Sequence, residues 1–236
     1  MSGKKITTIV FDIGGVLLDI HPKKTYQYIS DSTDIEVDVV KNRFPWDAHD
    51  EYEKGNLTNK EWFFAFRDSL PQPCCLKETD FWKAWSLLLG KEKKTVDLLS
   101  ILSLSYSTWL LSNTNPKHIQ DEIEKKYLFP TLVDGAIYSF NTRCRKPDRQ
   151  IYNCLLESSK ADPEECVFID DLIENVHAAQ SIGIKGIHFK DEDNLIIDLF
   201  HLVLIGDLVS VDLANQLDID PFDIEAIENL KKKLKG

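Results

Sequence analysis

One carboxylate, Asp12, constrains the fold of this chain more than any other feature. It follows residues 5–11, an apolar and β-branched segment that is typical of a short buried strand. Two glycines, Gly14 and Gly15, come directly afterwards. An acid followed by glycines at the carboxyl end of such a strand indicates a nucleophile or ligand beside backbone that approaches another group closely.

Four further segments have the composition of buried strands, and helical patterns follow most of them. These segments are 108–111, 136–140, 166–169 and 184–189. Strands separated by helices of this length predict an α/β fold, in which a Rossmann-like parallel sheet is joined by right-handed crossovers. Ligands of such sheets bind outside the carboxyl ends of the strands.

Polar residues cluster in the sequence where the predicted strands end. Ser112 and Asn113 follow the second strand, Lys146 lies in the loop after the third, and Asp170 and Asp171 follow the fourth. Each residue alone has an ordinary explanation, such as a surface lysine or a helix cap. The ordered set, together with Asp12, favours a single site at this edge of the sheet.

The predicted site has a specific chemistry. Two acids beside Asp12 concentrate negative charge, which is unfavourable unless a cation neutralises it. Mg²⁺ suits the site because it binds a few carboxylates, waters and phosphate oxygens. Lys146, the Ser112 hydroxyl and the backbone of Asn113 would then hold a phosphoryl group, and Asp12 would attack its phosphorus.

The pattern changes between residues 17 and 95, where aromatic side chains occur at helical spacing. We therefore predict a core formed by residues 1–16 and 96–200, with a helical cap at 17–95. The spacing of Trp62 and Phe66 favours packing inside the cap over an aromatic substrate pocket. Residues 201–236 are expected to form a helical extension packed on the core, with a homodimer contact as the alternative.

Composition excludes several classes of partner. The chain has 236 residues and a net charge of −11, so it offers no basic surface for nucleic acid. The apolar run at the start is too short for a signal peptide, and the sequence predicts no membrane span. The five cysteines are expected to be reduced thiols, and the expected location is cytoplasmic.

On these motifs the chain resembles the haloacid dehalogenase (HAD) superfamily, and in particular phosphatase-like hydrolases with a helical cap inserted after the first motif. The resemblance covers about residues 5–190. The residues that carry it are 11–17, 110–115, 145–152, and 167–171 with Asn175. Residues 52–58 also resemble the cap of that family.

The resemblance implies roles for the clustered residues. The catalytic residues are then Asp12 as nucleophile, Lys146 and Ser112. The residues that bind the phosphate of a small substrate are Ser112, Asn113 and Lys146. The ligands of Mg²⁺ are Asp12, the backbone carbonyl of Gly14, and Asp171, with Asp170 in support.

One position departs from the family pattern. Phosphatases of this family carry a second aspartate two positions after the nucleophile, where it protonates the leaving group, and this chain has Gly14 there. General acid–base help is worth about 10²- to 10⁴-fold. We expect rates to depend steeply on the leaving group's own pKa unless another group supplies the proton, and Asp19 and His21 are candidates.

Three hypotheses for the function follow from the sequence. The first is a Mg²⁺-dependent phosphatase that acts on a small phosphorylated metabolite through an aspartyl-phosphate. The second is a non-enzymatic phosphate-binding or regulatory module with the same fold. The third is a metal-independent dehalogenase, which the adjacent acids Asp170 and Asp171 disfavour because they would have no cation.

Overall fold

A five-stranded parallel sheet forms the centre of the protein. The computed structural model describes residues 5–204, and side chains as far as residue 199. The strands of the sheet are β1 (Thr8–Phe11), β4 (Ser107–Ser112), β5 (Gly135–Tyr138), β6 (Cys166–Asp170) and β7 (Lys185–His188). Their order is β5-β4-β1-β6-β7, which confirms the predicted α/β fold with a parallel sheet.

The register of the sheet aligns the carboxyl ends of its three inner strands. Phe11, the last residue of β1, lies opposite Leu110 in β4 and Ile169 in β6. The next position therefore brings Asp12 level with Asp170. The sheet thus positions two of the predicted site residues side by side.

Helices cover both faces of the sheet. Successive side chains of a strand point to opposite faces, so one strand contributes to the packing on both. Ile9 and Phe11 pack into one apolar cluster with Leu99 of α6, whereas Val10 belongs to a second cluster with Ile151 of α9. The helices that cover the sheet are α6 (Thr95–Leu102), α9 (Arg149–Ser159), α10 (Ile173–Gln180) and α11 (Glu192–Leu204).

Five helices between residues 22 and 86, here called the helical insert, form a separate layer. They are α1 (Pro22–Thr33), α2 (Val37–Asn42), α3 (Trp46–Glu53), α4 (Asn59–Ser69) and α5 (Glu78–Ser86). Thr58 and Glu61 form a capping box that starts α4. Trp62 and Phe66 are fully buried in the apolar cluster of the insert, as their helical spacing predicted, and Phe81 is buried in the same cluster.

The two chain segments that join the insert to the sheet pair with each other. β2 (Leu18–Ile20) and β3 (Leu89–Glu92) form a small antiparallel sheet that the sequence did not predict. Both strands are short, and they lack the apolar runs that identify buried strands. The pairing fixes the entry and exit of the insert beside the end of β1.

The third sheet strand ends earlier than predicted. Residues 139–140 were expected to be extended, but they begin a short helix, α8 (Ser139–Thr142). The Ser139 hydroxyl accepts a hydrogen bond from the Thr114 backbone N–H and donates one to the Thr114 carbonyl oxygen. These bonds occupy the backbone N–H and carbonyl oxygen of Thr114, with which a longer third strand would have to pair.

The remaining observations concern other parts of the described chain. A π-helical turn (His118–Ile123) continues into α7 (Glu124–Lys126), and all five cysteines are free thiols. Within residues 5–204, no helix is both long and apolar enough to cross a membrane. Of the predicted extension at 201–236, residues 201–204 belong to α11, and the rest lies outside the described residues.

Candidate functional site

Asp12 occupies the centre of the candidate site because β1 is the middle strand of the sheet. Its backbone N–H donates a hydrogen bond of 2.9 Å to the carbonyl oxygen of Ile169, so the strand pairing continues one residue beyond β1. The residue is 8% exposed. A carboxylate at this depth requires a charged partner.

Three carboxylates converge at these strand ends. Asp12, Asp170 and Asp171 each present an oxygen within 4.8 Å of the other two. Lys146 is buried among them, with Nζ lying 2.8 Å from Asp12 Oδ1 and 2.6 Å from Asp170 Oδ2. Three acids and one lysine leave a net charge of about −2 when all four groups are ionised, which matches one divalent cation.

The pKa values show how these charges affect one another. Burial raises the pKa of Asp12 to about 7, although the nearby ammonium of Lys146 opposes the shift. Burial also raises the pKa of Asp171. Burial would lower the pKa of Lys146, but the Asp12 and Asp170 carboxylates outweigh it and raise that pKa. A divalent cation would remove the cost of ionising both acids, so the carboxylate oxygens fit Mg²⁺.

The Asp170 carboxylate is held by several hydrogen bonds. It accepts hydrogen bonds from Lys146, from the Leu172 backbone N–H at 2.8 Å and from Asn175 Nδ2 at 3.0 and 3.1 Å. These donors occupy most of the acceptor sites of the two oxygens. The geometry suits Asp170 to a supporting role behind Asp12 and Asp171.

The glycines after Asp12 differ in what they permit. Gly15 has φ +79°, and a Cβ there would lie 2.3 Å from Asp171 Oδ2, so only glycine fits. This contact is the close backbone approach that the sequence predicted. Gly14 lies outside the positive-φ region, and a Cβ there would stay 3.4 Å from Ile20, which leaves space for a side chain.

The Asn113 side chain holds the loop that carries Lys146. Asn113 Nδ2 donates to the Lys146 carbonyl oxygen at 2.9 Å, and the Lys146 backbone N–H donates to Asn113 Oδ1 at 2.8 Å. This reciprocal pair fixes the lysine backbone beside the end of β4. Phosphate binding by Ser112 and by the backbone of Asn113 stays a prediction, and both residues line the cavity described next.

A cavity of about 320 Å³ lies between the strand ends and the helical insert. This volume suits a small ligand. Its floor contains every predicted site residue except Asp170, which lies beneath it. Much of the remaining lining, here called the cavity wall, comes from the helical insert and its connecting strands, and it combines apolar and polar side chains: Ile20, Trp85, Leu88, Leu89, His49, Glu53, His118 and Arg145.

Four polar residues of this wall, His49, Glu53, His118 and Arg145, received no site role from the sequence. Burial raises the pKa of Glu53 to about 7, and burial lowers that of His49 to about 3. Arg145 Nη2 lies 2.9 Å from Glu53 Oε2, and Arg145 also pairs with Asp50. Glu53 and Arg145 lie within two of the segments that carry the family resemblance, 52–58 and 145–152, and this position was the available signal for a site role.

The two residues that the sequence offered as substitute acids do not line the cavity. Asp19 and His21 lie on either side of Ile20, and it is Ile20 that reaches the cavity wall. A Cβ at Gly90 would lie 2.6 Å from His21 Nε2 and 2.8 Å from Asp19 Cβ, so both side chains pack over Gly90 in β3. The alternation of side chains along β2 turns them away from the site.

Comparison with known proteins identifies the class. The profile of the haloacid dehalogenase-like hydrolase family matches residues 6–183, about three quarters of the chain. The protein therefore belongs to the haloacid dehalogenase-like hydrolases, as its motifs predicted.

Two curated relatives align over most of their length. D-ribitol-5-phosphate phosphatase of Bacteroides thetaiotaomicron is 26% identical over 197 residues, which cover 76% of this chain and 90% of the relative. A sesquiterpene phosphatase of Aspergillus oryzae is 24% identical over 194 residues, covering 82% and 95%.

Solved structures share the fold. A HAD family enzyme of Bacteroides thetaiotaomicron, in complex with magnesium and inorganic phosphate, has a TM-score of 0.69 and 25% identity, covering 80% of this chain and 98% of that one. The L-2-haloacid dehalogenase of Xanthobacter autotrophicus has a TM-score of 0.57 at 18% identity, which is a likeness of fold alone.

Proposed function

We propose that this protein is a Mg²⁺-dependent phosphatase that hydrolyses a small phosphorylated metabolite through an aspartyl-phosphate on Asp12. The observation that carries the proposal is the convergence of Asp12, Asp170 and Asp171 around the buried Lys146, at the strand ends beside the cavity. Relatives named as phosphatases and a neighbour bound to magnesium and phosphate support it.

Each residue then has a defined task. Mg²⁺ would be held by Asp12, Asp171 and the Gly14 carbonyl, with Asp170 in support, and would neutralise charge on the phosphoryl oxygens. Ser112, Asn113 and Lys146 bind the remaining phosphoryl oxygens. Asp12 attacks phosphorus as the leaving oxygen departs, and water later hydrolyses the aspartyl-phosphate.

Asp12 can act as the nucleophile only with its carboxylate ionised. Lys146 Nζ lies 2.8 Å from Asp12 Oδ1, so it favours the ionised form of Asp12 and holds that oxygen in place. The second oxygen remains for phosphorus, because the lysine contacts Oδ1. The buried setting strengthens these electrostatic contacts relative to water.

The proposal is tested by hydrolysis of a panel of phosphate monoesters with Mg²⁺ and with a chelator. The panel includes a sugar-alcohol phosphate and a prenyl phosphate, because the relatives are named for such substrates, together with a 2-haloacid. We expect Mg²⁺-dependent release of phosphate and none of halide. Halide release with the chelator would indicate a dehalogenase. Phosphate binding without turnover of any ester would indicate a binding module.

A further inference from the structure

We propose that Glu53 donates the proton to the leaving-group oxygen, the task that Gly14 cannot perform. This inference rests on the proposed phosphatase function and adds a catalytic residue to it. Glu53 lies at the end of α3 in the helical insert, and it lines the same cavity as Asp12.

The direction of the reaction places the leaving oxygen on the side of the helical insert. In an in-line displacement, the attacking and leaving oxygens lie on opposite sides of phosphorus. Because Asp12 attacks from the strand ends, the leaving oxygen points toward the cavity wall. Among the described residues that line the cavity, Glu53 is the one carboxylic acid besides Asp12 and Asp171.

Backbone and side-chain contacts hold Glu53 in place. Gly55, two residues after it, has φ +71°, and a Cβ there would lie 2.3 Å from the Phe140 carbonyl oxygen. The backbone that follows α3 therefore packs directly on α8 of the core. Arg145 adds a second anchor, since it pairs with both Asp50 and Glu53.

The carboxyl group of Glu53 is buried and incompletely hydrogen-bonded. Glu53 is 7% exposed, yet its buried Oε2 makes no hydrogen bond within the described part of the chain. Arg145 Nη2 lies 2.9 Å from this oxygen, but without hydrogen-bond geometry, and Arg145 Nε is also buried without a partner. These two atoms leave hydrogen-bonding capacity at the cavity wall that the described chain does not use.

The charges around Glu53 leave it able to hold a proton. The groups that face it are His49 and Asp50 on its own helix, Arg145 and Lys146 on the loop after α8, and Asp12 after β1. Burial raises its pKa to about 7 even though Arg145 opposes the shift. A general acid works best with a pKa near the working pH.

The two histidines of the wall are poorly suited to this task. Burial lowers the pKa of His49 to about 3 and that of His118 to about 4, so both are neutral near pH 7. His118 Nε2 also lies 3.0 Å from the Trp85 carbonyl oxygen and is engaged there. A neutral imidazole is a far weaker proton donor than a carboxylic acid.

The proton returns to Glu53 within one turnover. When Asp12 bonds to phosphorus, the electron pair of the broken P–O bond goes to the leaving oxygen, which takes the Glu53 proton. The Glu53 carboxylate, stabilised by Arg145, then takes a proton from the water that attacks phosphorus. The P–O bond to Asp12 breaks, its electron pair restores the carboxylate, and inorganic phosphate leaves.

The test compares wild type, Glu53→Gln and Glu51→Gln across monophosphates whose leaving groups range from p-nitrophenol to a primary alcohol. Glu51 lies on the same helix, its side chain is 47% exposed, and it does not line the cavity, so it controls for the loss of one acid. We expect Glu53→Gln to lower kcat for alkyl phosphates by about 10²-fold or more and to change kcat for p-nitrophenyl phosphate little. Glu51→Gln should match wild type.

Other results would overturn the inference. An equal loss for all esters in Glu53→Gln would indicate a positioning role, and an unchanged leaving-group dependence would remove Glu53 from the reaction. Thermal unfolding and Mg²⁺ binding of the variant show whether a loss reflects misfolding; Glu53→Asp, which keeps the acid, should then recover part of the alkyl-phosphate rate. A wild type that hydrolyses no ester would instead refute the proposed function, and this inference with it.

Discussion

Replacement of Lys146 by methionine tests the electrostatic account of the site. Methionine keeps an unbranched apolar side chain of similar length, so the change removes the charge with little loss of packing. Lys146 is 2% exposed and contacts Asp12 and Asp170 at 2.8 and 2.6 Å. The variant leaves two buried carboxylates without their cation.

The expected loss of folding free energy is large. With an effective dielectric constant of about 20, each of the two pairs has a Coulomb energy of about 6 kcal/mol. The cost of burying the ammonium cancels much of this attraction, and removal of one member of a buried ion pair typically costs about 3–5 kcal/mol. We expect Lys146→Met to lose stability in that range at pH 8 without divalent cations.

The loss should depend on pH in a definite direction. Without Lys146, the pKa of Asp12 rises above its present value of about 7, so the folded chain binds a proton more tightly than the unfolded chain does. Stability then decreases as pH rises. The difference from wild type is therefore smaller below pH 7 and grows as pH rises above it.

The assay is urea unfolding of both proteins at several pH values, with a chelator and with Mg²⁺. Lys125→Met is the control, because Lys125 is 62% exposed and pairs with Asp121 on one helical turn. Its loss should be small at every pH. A loss in Lys146→Met that equals the control, or one that is independent of pH, would refute the reasoning.

Three further substitutions test separate parts of the site. Asp12→Asn should abolish turnover while unfolding stays cooperative, since the amide is a poor nucleophile; full activity in steady-state assays would contradict the covalent mechanism. Gly15→Ala should lower both stability in urea and Mg²⁺ affinity by calorimetry, because a Cβ collides with Asp171 at positive φ; unchanged affinity would count against it. Gly14→Asp should restore alkyl-phosphate turnover to Glu53→Gln, because the backbone accepts a side chain there; no recovery would oppose a proton-transfer role at either position.

The strand ends could be predicted because buried parallel strands have a local signal. Apolar, β-branched runs identified β1 and β6, and the residues after them, Asp12 and Asp171, followed from the rule that ligands bind at carboxyl ends. The adjacent acids Asp170 and Asp171 beside Asp12 then predicted a cation. The structure brings these oxygens within 4.8 Å of one another.

The wall of the cavity could not be predicted because it depends on how the insert packs over the sheet. Glu53 lies at the end of an amphipathic helix, where an exposed acid is the usual expectation. Its burial accompanies the packing of the end of α3 on α8, where Gly55 lies against Phe140, and this tertiary feature has no local signal. Because Glu53 is proposed to donate the proton, the steep dependence of rate on the leaving group's pKa that Gly14 predicted is expected in Glu53→Gln and not in wild type.

The central claim is a covalent phosphoryl intermediate on Asp12, and rapid acid quenching during turnover tests it directly. Peptide mass spectrometry of the quenched protein should find one phosphoryl group on the peptide that contains Asp12, with Mg²⁺ present. The same peptide from Asp12→Asn, or from wild type with a chelator, should carry none. Turnover with no phosphoryl group on that peptide, together with an active Asp12→Asn variant, would contradict the account.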